Sequence, residues 1–248
     1  MQTELVTKIH NQALELRVRD LLLNALTVSS GAVDAISFLA LGKVFSAFMT
    51  GNIAFLGLRV AAASAPGAVA IVVSILAFAV GVYLSTRIVR PSEGSGVWPQ
   101  RVTVALGVSL IAHVVFLAVW FATNGQPSID VAHVLLGSWG FAMGMQSAAV
   151  RTLHVEGVFT TAATATIILL VGHITNWHAT VAERRRLAGV LVSLFLGATG
   201  GGLLLVHAHI YAPVLPFVVT VLVVAAAGIV LRERAPQSNV GGDIHVAG

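Results

Sequence analysis

The chain has 248 residues, of which 57% are hydrophobic and only 10% are charged, and its mean hydropathy is +0.92. This much apolar surface exceeds what one soluble core could bury, so the composition predicts an integral membrane protein whose partner is the lipid bilayer. No cysteine is present, which excludes disulfides, iron–sulfur clusters and thiolate catalysis. The net charge of +4 would suit nucleic acid in a soluble protein, but the arginines lie at the ends of apolar segments. They indicate membrane topology, and we expect no nucleic-acid partner.

Residues 1–20 predict a short interfacial helix, because Leu5, Ile9, Ala13 and Leu16 share one helical face and charges surround the rest. Residues 235–248 predict a disordered tail. Between them lie eight apolar segments, each near the roughly 20 residues that cross a bilayer. They run at about 21–41, 44–64, 67–90, 101–123, 131–150, 157–177, 187–208 and 212–231.

The basic residues distinguish two topologies for an all-α membrane protein. If all eight segments cross with the N-terminus inside, nine basic residues are cytoplasmic and five are external. If the second and sixth segments are instead broken or re-entrant, twelve basic residues are cytoplasmic and two are external. The positive-inside rule favours this second arrangement, six transmembrane helices plus two re-entrant segments. Eight full crossings is the alternative. Both give a multi-pass membrane protein with cytoplasmic N- and C-termini.

The chain also shows signs of an internal repeat. Val44-Phe45-Ser46 with Thr50 matches residues 158–160 with Thr164 at an offset of 114. Gly31 can be aligned with Gly144 if one gap is allowed, and Gly81 lies 116 residues before Gly197. We therefore predict a first membrane repeat at 21–123 and a second at 131–234. Each repeat holds an odd number of crossings, so the two would be inverted relative to each other, as in many transporters.

Residues 31–57 contain the predicted site, because polar and charged residues interrupt an otherwise apolar sequence there. Asp34 is an acid inside a membrane helix, which suggests a proton or cation carrier or a counter-ion to Lys43. Thr50, Gly51 and Asn52 interrupt the apolar sequence and suit the N-cap of a helix over 53–63. The free amides of such a helix start could bind an anion or another polar group. Equally, Thr50 and Asn52 could only cap a break in the helix or hydrogen-bond a neighbouring helix.

The second half supplies weaker candidates for the same site. Gln146, Ser147 and Arg151 would form its pseudo-symmetric polar group, although Arg151 taken alone fits a topology anchor better, and Thr164 corresponds to Thr50. His113 in the fourth segment could relay protons or simply bond a neighbouring helix. The histidine spacings do not place two ligands on one helical face, so we predict no metal and no cofactor. Gly197, Gly200, Gly201 and Gly202 permit close approach of another helix.

The motif residues resemble a known family. Gly31-x-x-Asp34-Ala35, then Gly42 and Phe45, then Met49 to Asn52, are similar to the signature of the YoaK-like family of bacterial inner-membrane proteins, whose function is uncharacterised. Gly144 to Ser147 with Arg151 resembles that family's second motif. In this chain Ala163-Thr164-Ala165-Thr166 stands where the family tends to repeat a Thr-Gly pattern. The resemblance implies a family and a location in the bacterial inner membrane, but no substrate.

Three functions fit the sequence. The first is a transporter or permease for a small polar or anionic solute, proton-coupled through Asp34. The second is a channel or passive pore for a small solute or ion. The third is a membrane protein that transports nothing and acts on lipids or in an assembly. The sequence contains no phosphate-binding loop, dinucleotide fingerprint or catalytic triad order, so we expect no enzyme; a homo-oligomer is compatible with all three functions.

Overall fold

The computed structural model describes residues 2–61, 64–90, 96–155, 163–175 and 180–231, with only the backbone of residues 2–11. These residues form eight α-helices and one short 3₁₀ turn, His209–Tyr211. The helices are α1 Gln2–Ala40, α2 Met49–Val60, α3 Ala68–Val89, α4 Gln100–Ala122, α5 Ile129–Arg151, α6 Ala163–Thr175, α7 Val181–His207 and α8 Val214–Val230. The all-α membrane fold predicted from composition is confirmed. Arg232, Arg234 and the predicted tail at 235–248 lie outside the described residues.

In the described part of the chain, five stretches of helix are long and apolar enough to cross a membrane, and they belong to α1, α3, α4, α7 and α8. The 23-residue α5 has the length but is less apolar. Its middle and C-terminal part is almost continuously buried by neighbouring helices, so this helix faces protein more than lipid and can carry polar residues such as Gln146. Six helices can therefore span the bilayer.

The other two helices are short in the described part of the chain. With about 1.5 Å of rise per residue, the 12 residues of α2 extend about 18 Å, too few to cross a hydrocarbon core of about 30 Å, and the 13 described residues of α6 extend about 20 Å. They coincide with the second and sixth apolar segments, for which the charge count predicted re-entrant structure.

Two clusters of buried side chains show the direction of each long helix. One cluster joins the C-terminal parts of α1, α4 and α7 to the N-terminal parts of α3 and α5, and we call this the first end of the bundle. The other cluster joins the N-terminal parts of α4 and α7 and residues 22–26 of α1 to the C-terminal parts of α3, α5 and α8; this is the second end. Successive long helices thus alternate in direction.

The alternation fixes the paths of α2 and α6. Because α1 ends and α3 begins at the first end, α2 enters and returns there. Because α5 ends and α7 begins at the second end, the segment that contains α6 starts and finishes at the opposite end from α2. This arrangement agrees with six crossings plus two re-entrant segments and not with the alternative of eight crossings.

Glycines allow the closest helix contacts. Gly31 of α1 lies against the backbone of α7 at Leu194, and Gly197 and Gly201 of α7 lie against the backbone of α1 at Val28 and Ala32. Around each of these glycines a Cβ atom would overlap a neighbouring backbone. The predicted role of Gly197 and Gly201 in tight packing is confirmed, whereas Gly200 and Gly202 make only ordinary contacts with leucine side chains.

The N-terminal 20 residues differ from the prediction in one respect. From Gln2 they are part of α1, which continues without a break to Ala40. They do not form a separate helix, and their position at the membrane interface stays a prediction.

Candidate functional site

Asp34 organises the turn between α1 and α2. The chain reverses at Gly42 and Lys43, both of which have positive φ angles of 92° and 63°. The following residues run back along α1 to the depth of Asp34, whose Oδ1 accepts hydrogen bonds from the backbone N–H groups of Ser46 at 2.9 Å and Ala47 at 2.7 Å. The carboxylate thus satisfies amides that would otherwise be unpaired inside the membrane.

Asn52 fixes the same turn from the other side. Its Oδ1 accepts from the Phe45 N–H at 3.0 Å, and its Nδ2 donates to the Phe45 carbonyl at 2.7 Å. The Ser74 hydroxyl of α3 donates to the same carbonyl at 2.6 Å and lies 3.3 Å from Asn52 Nδ2. The Asn52 side chain is fully buried, so its amide acts as a clamp on the backbone of Phe45.

A pair of serines completes this network. The hydroxyls of Ser37 on α1 and Ser46 in the turn are 2.8 Å apart, and both side chains are fully buried. Side chains of α1, α2 and α3 therefore all hold the turn, which makes it a rigid feature at membrane depth.

The predicted helix start is wrong in position. We expected a helix over 53–63 capped by Thr50 to Asn52, but α2 begins at Met49, and its N-cap Phe48 makes no side-chain capping bond. Thr50 is exposed on the first turn of α2. A Cβ on Gly51 would lie 2.6 Å from the Phe48 ring, so glycine there lets that ring pack against the helix. Capping by Thr50 is unnecessary because Asp34 already binds the amides that precede the helix.

A cavity of about 490 Å³ opens beside Asp34. Its walls come from α1, the α1–α2 turn, the start of α6 and the middle of α7; the lining residues are Gly31, Asp34, Ala35, Phe38, Leu39, Phe45, Phe48, Ala163, Leu194 and Ala198. Asp34 is half-buried and is the sole charged residue among the described residues of this lining. The cavity is therefore an apolar, aromatic space with a single carboxylate.

Lys43 does not pair with Asp34. Among the described residues, its ammonium contacts the face of the Phe38 ring, with Nζ 5.2 Å from the ring centroid. Because Phe38 lines the cavity and Lys43 is exposed, the lysine lies at the outer side of the aromatic wall. A cation–π contact takes the place of the predicted counter-ion pair.

The second-half candidates do not line the cavity. Gln146 is buried in α5 and donates from Nε2 to the Leu26 carbonyl of α1 at 3.2 Å. The Ser147 hydroxyl donates to Met143 of its own helix at 2.7 Å, and Thr164 is exposed near the start of α6. Of the second half, the cavity takes only apolar residues of α6 and α7.

His113 lies apart from Asp34, in the interior of α4. Neither of its ring nitrogens has a hydrogen-bond partner among the described residues, and its ring stands edge-on to Trp139 with centroids 6.4 Å apart. No described group of three His, Asp or Glu residues could hold a metal ion. The predicted proton-relay role of His113 stays a prediction.

Several site residues were not predicted from sequence. Phe38, Phe45 and Phe48 form the aromatic wall, with Phe38 and Phe45 stacked at 4.9 Å and Phe45 and Phe48 edge-on at 5.3 Å. Their one detectable signal is that Phe38 follows Asp34 by four residues and so shares its helical face. Ser74 carries no signal, because it joins the network only through tertiary contact.

Comparison with known proteins places the chain in a family. A family model described as "Protein of unknown function (DUF1275)" matches residues 22–227. The chain belongs to this family. The UPF0700 transmembrane protein YoaK of Bacillus subtilis (strain 168) is 32% identical over 158 residues, which is 64% of this chain and 68% of that protein. The predicted YoaK-like family is confirmed, and the matched range of the family includes Asp34 and Asn52. No solved structure matches the chain.

Proposed function

We propose that the protein is a secondary transporter or permease that moves a small solute through the Asp34 cavity and couples that movement to a proton on Asp34. One observation carries this proposal. The starts of two short helices that enter from opposite ends of the bundle both reach this cavity, where they meet an acid inside the membrane. The proposal assigns the protein no enzymatic activity.

Re-entrant helices support transport because they are costly in a purely structural protein. Irregular backbone at membrane depth is tolerated only where protein buries it or where it lines a cavity. In this chain the turn at residues 41–48 does both, since Asp34 and Asn52 bind its backbone and Phe45 and Phe48 line the cavity. Discontinuous helices that meet near the bilayer midplane are a recurring site design in secondary transporters.

Repeated helix contacts support the inverted repeat. Gly31 of α1 approaches the Leu194 carbonyl of α7, and Gly144 of α5 approaches the Phe78 carbonyl of α3. Gly144 follows Gly31 by 113 residues, and Leu194 follows Phe78 by 116. If each residue is replaced by its counterpart in the other half of the chain, the contact between Gly31 and Leu194 therefore becomes the contact between Gly144 and Phe78.

The same exchange relates other contacts between these helices. Gly197 approaches the Val28 carbonyl, and Gly81 approaches the Phe141 carbonyl, again at offsets of 116 and 113. Since α1 and α5 run in opposite directions, the two halves are inverted relative to each other. Inverted halves of this kind can rock against each other around a fixed central site, which is one way to expose that site alternately to each side.

The solute must fit a mostly apolar space with one ionisable group. The sequence suggested a polar or anionic solute that would bind the amides of a helix start. Asp34 occupies the amides of Ser46 and Ala47, so an anion would have to displace this carboxylate first. The cavity supports a small solute with an apolar body and a single polar or charged group.

Proton movement in liposomes tests the transport proposal. The purified protein is reconstituted with a pH-sensitive dye inside, and each member of a solute panel is added outside in turn. A transported, coupled solute moves protons at a rate that saturates with solute concentration. Asp34→Asn should abolish this movement, because the amide still accepts hydrogen bonds but cannot bind and release a proton. Asp130→Asn, an exposed position at the start of α5, is the matched control and should behave as wild type.

Two results would count against the proposal. Solute-driven proton movement that persists in Asp34→Asn would remove the coupling role of this acid. A current that rises linearly with voltage and does not saturate would indicate a channel instead, and a complete lack of movement across the panel would favour a protein that transports nothing.

Cysteine labelling tests the proposed orientation in an inner membrane with both termini cytoplasmic. Gln100→Cys at the start of α4 should be protected from an impermeant maleimide in intact cells, whereas Ser128→Cys before α5 should react, since the two lie at opposite ends of the bundle. The lack of native cysteine gives a clean background. Reversed reactivity would invert the orientation, and reaction at both positions would contradict the topology.

A further inference from the structure

We propose that the ligand of the Asp34 cavity is a hydrophobic organic cation, a protonated amine or quaternary ammonium group on an apolar body. This inference names the solute class of the proposed transporter and therefore rests on the proposed function. It follows from the charge, the walls and the size of the cavity.

The charge comes from the carboxylate of Asp34. Its Oδ1 accepts hydrogen bonds from the backbone N–H groups of Ser46 and Ala47, and the backbone N–H of Phe48 also interacts with the carboxylate. The described lining of the cavity contains no basic residue. A carboxylate oxygen in an apolar space is costly unless a proton or a cation accompanies it. The cavity thus offers a place for one positive charge.

The walls suit a cation with an apolar body. Phe38, Phe45 and Phe48 supply aromatic surface, and aliphatic residues of α1, α6 and α7 supply the rest. Aromatic faces attract ammonium groups, most strongly where water is excluded. Lys43 demonstrates this attraction at the outer side of the wall, where its ammonium lies 5.2 Å from the centre of the Phe38 ring.

The size suits a small organic molecule rather than a metal ion. The volume of about 490 Å³ falls within the range of roughly 300–1,000 Å³ found for small-molecule sites. A bare metal cation would need several more oxygen ligands, and Asp34 is the sole carboxylate among the described lining residues.

A proton and the organic cation compete for Asp34. The other elements packed around the cavity present apolar residues to it. The charged or titratable residues of these elements lie toward the ends of their helices. They are Arg59 on α2, His173 on α6, and Glu183, Arg184, Arg185, Arg186 and His207 on α7. Lys43 is the nearest charge on the turn. Because a protonated Asp34 no longer attracts a cation, binding should weaken as the pH falls. In transport, the same competition would exchange a proton for the cation.

Equilibrium dialysis of the purified full-length protein tests the inference. The probes are radiolabelled benzyltrimethylammonium and tetraphenylphosphonium, with benzyl alcohol and phenylacetate as unlabelled neutral and anionic competitors. We expect saturable binding of at least one cation probe, displaced by the other cation and not by the two competitors. Asp34→Asn should weaken binding about tenfold or more, because it removes the charge and leaves the acceptor for Ser46 and Ala47 in place. Asp130→Asn should not change it.

A second pair of variants separates the aromatic wall from general hydrophobicity. Phe48 of the wall and Phe121 on the outer surface of α4 are each 40% exposed. Phe48→Leu should weaken cation binding several-fold, and Phe121→Leu should leave it unchanged. Binding to wild type should also be weaker at about pH 5 than at about pH 8, where fewer protons compete with the cation for Asp34. Size-exclusion profiles of all variants establish that each remains folded.

The inference is overturned if neither cation binds saturably, if phenylacetate or benzyl alcohol displaces the bound cation, or if Asp34→Asn binds as well as wild type. These outcomes are distinct from failure of the proposed function, because dialysis needs no membrane. A protein that binds the cation and moves nothing in liposomes would keep the inference and lose the transport proposal. Proton movement driven by a neutral or anionic solute would keep the transport proposal and contradict the inference about the solute class.

Discussion

The two short helices α2 and α6 share a shape but differ in chemistry. They have 12 and 13 residues, they enter from opposite ends, and both begin at the Asp34 cavity. At an offset of 113 the position of Asp34 corresponds to Ser147, and at an offset of 114 that of Asn52 corresponds to Thr166. Ser147 bonds its own helix and Thr166 is buried. The corresponding positions of the second half therefore carry neither a carboxylate nor an amide side chain.

The difference between α2 and α6 shows that the two halves of the chain share their helix packing but not their polar side chains. Close helix approach depends on glycine in both halves, because α1 meets α7 and α3 meets α5 through backbone contacts. Polar side chains are not needed for that packing and can differ. A second acid inside the membrane would add its own cost of removal from water, so a single carboxylate is cheaper for the fold.

Substituting the paired glycines tests the shared packing and should give the largest effect on stability. Gly31→Ala and Gly144→Ala should each lower stability by about 3 kcal/mol, since the new methyl group would overlap backbone of α7 or α3 that cannot move alone. The measurement is thermal unfolding in detergent, followed by tryptophan fluorescence. If the halves are equivalent, both variants should lose similar stability.

Gly228→Ala in α8 is the control for this pair. Nothing lies within 4 Å of the Cβ position there, and alanine is the better helix former by up to about 1 kcal/mol, so stability should stay equal or rise. A loss at Gly31 without a loss at Gly144 would show that the two contacts are not equivalent, whatever their spacing in the sequence.

The topology could be predicted because the bilayer imposes simple rules. Arg87, Arg90, Arg101 and Arg151 lie at the ends of apolar segments, and only two re-entrant segments place them on the side of the other basic residues. Hydropathy alone misleads for α5, which is less apolar than its neighbours because they cover it. Its length and position between two well-marked crossings identify it instead.

The site could be predicted only in part. Asp34 stands out because an acid is rare in a membrane helix. Asp34 also takes the place of a helix cap, because it binds the amides of Ser46 and Ala47, 12 and 13 residues further along the chain. Capping rules consider only neighbouring residues, so they cannot predict this contact. Local rules placed the break at Thr50 to Asn52 for that reason. Phe38 and Phe48 look like any lipid-facing aromatics until the fold gathers them around the cavity.

The amide clamp of the first half gives a smaller and more local prediction. Asn52→Ala should lower stability by about 2 kcal/mol, because it leaves the buried Phe45 N–H without its acceptor. Ser74→Ala should cost only about 0.6 kcal/mol, since the Phe45 carbonyl keeps its bond from Asn52 Nδ2. Thr86→Ala, which removes an exposed hydroxyl from the same helix α3, should change stability by less than about 0.5 kcal/mol. Thermal unfolding of the three variants gives the order. If Ser74→Ala lowered stability as much as Asn52→Ala, the Ser74 hydroxyl and not the Asn52 amide would hold the turn. The feature that distinguishes the first half would then be a side chain of α3 and not one of α2.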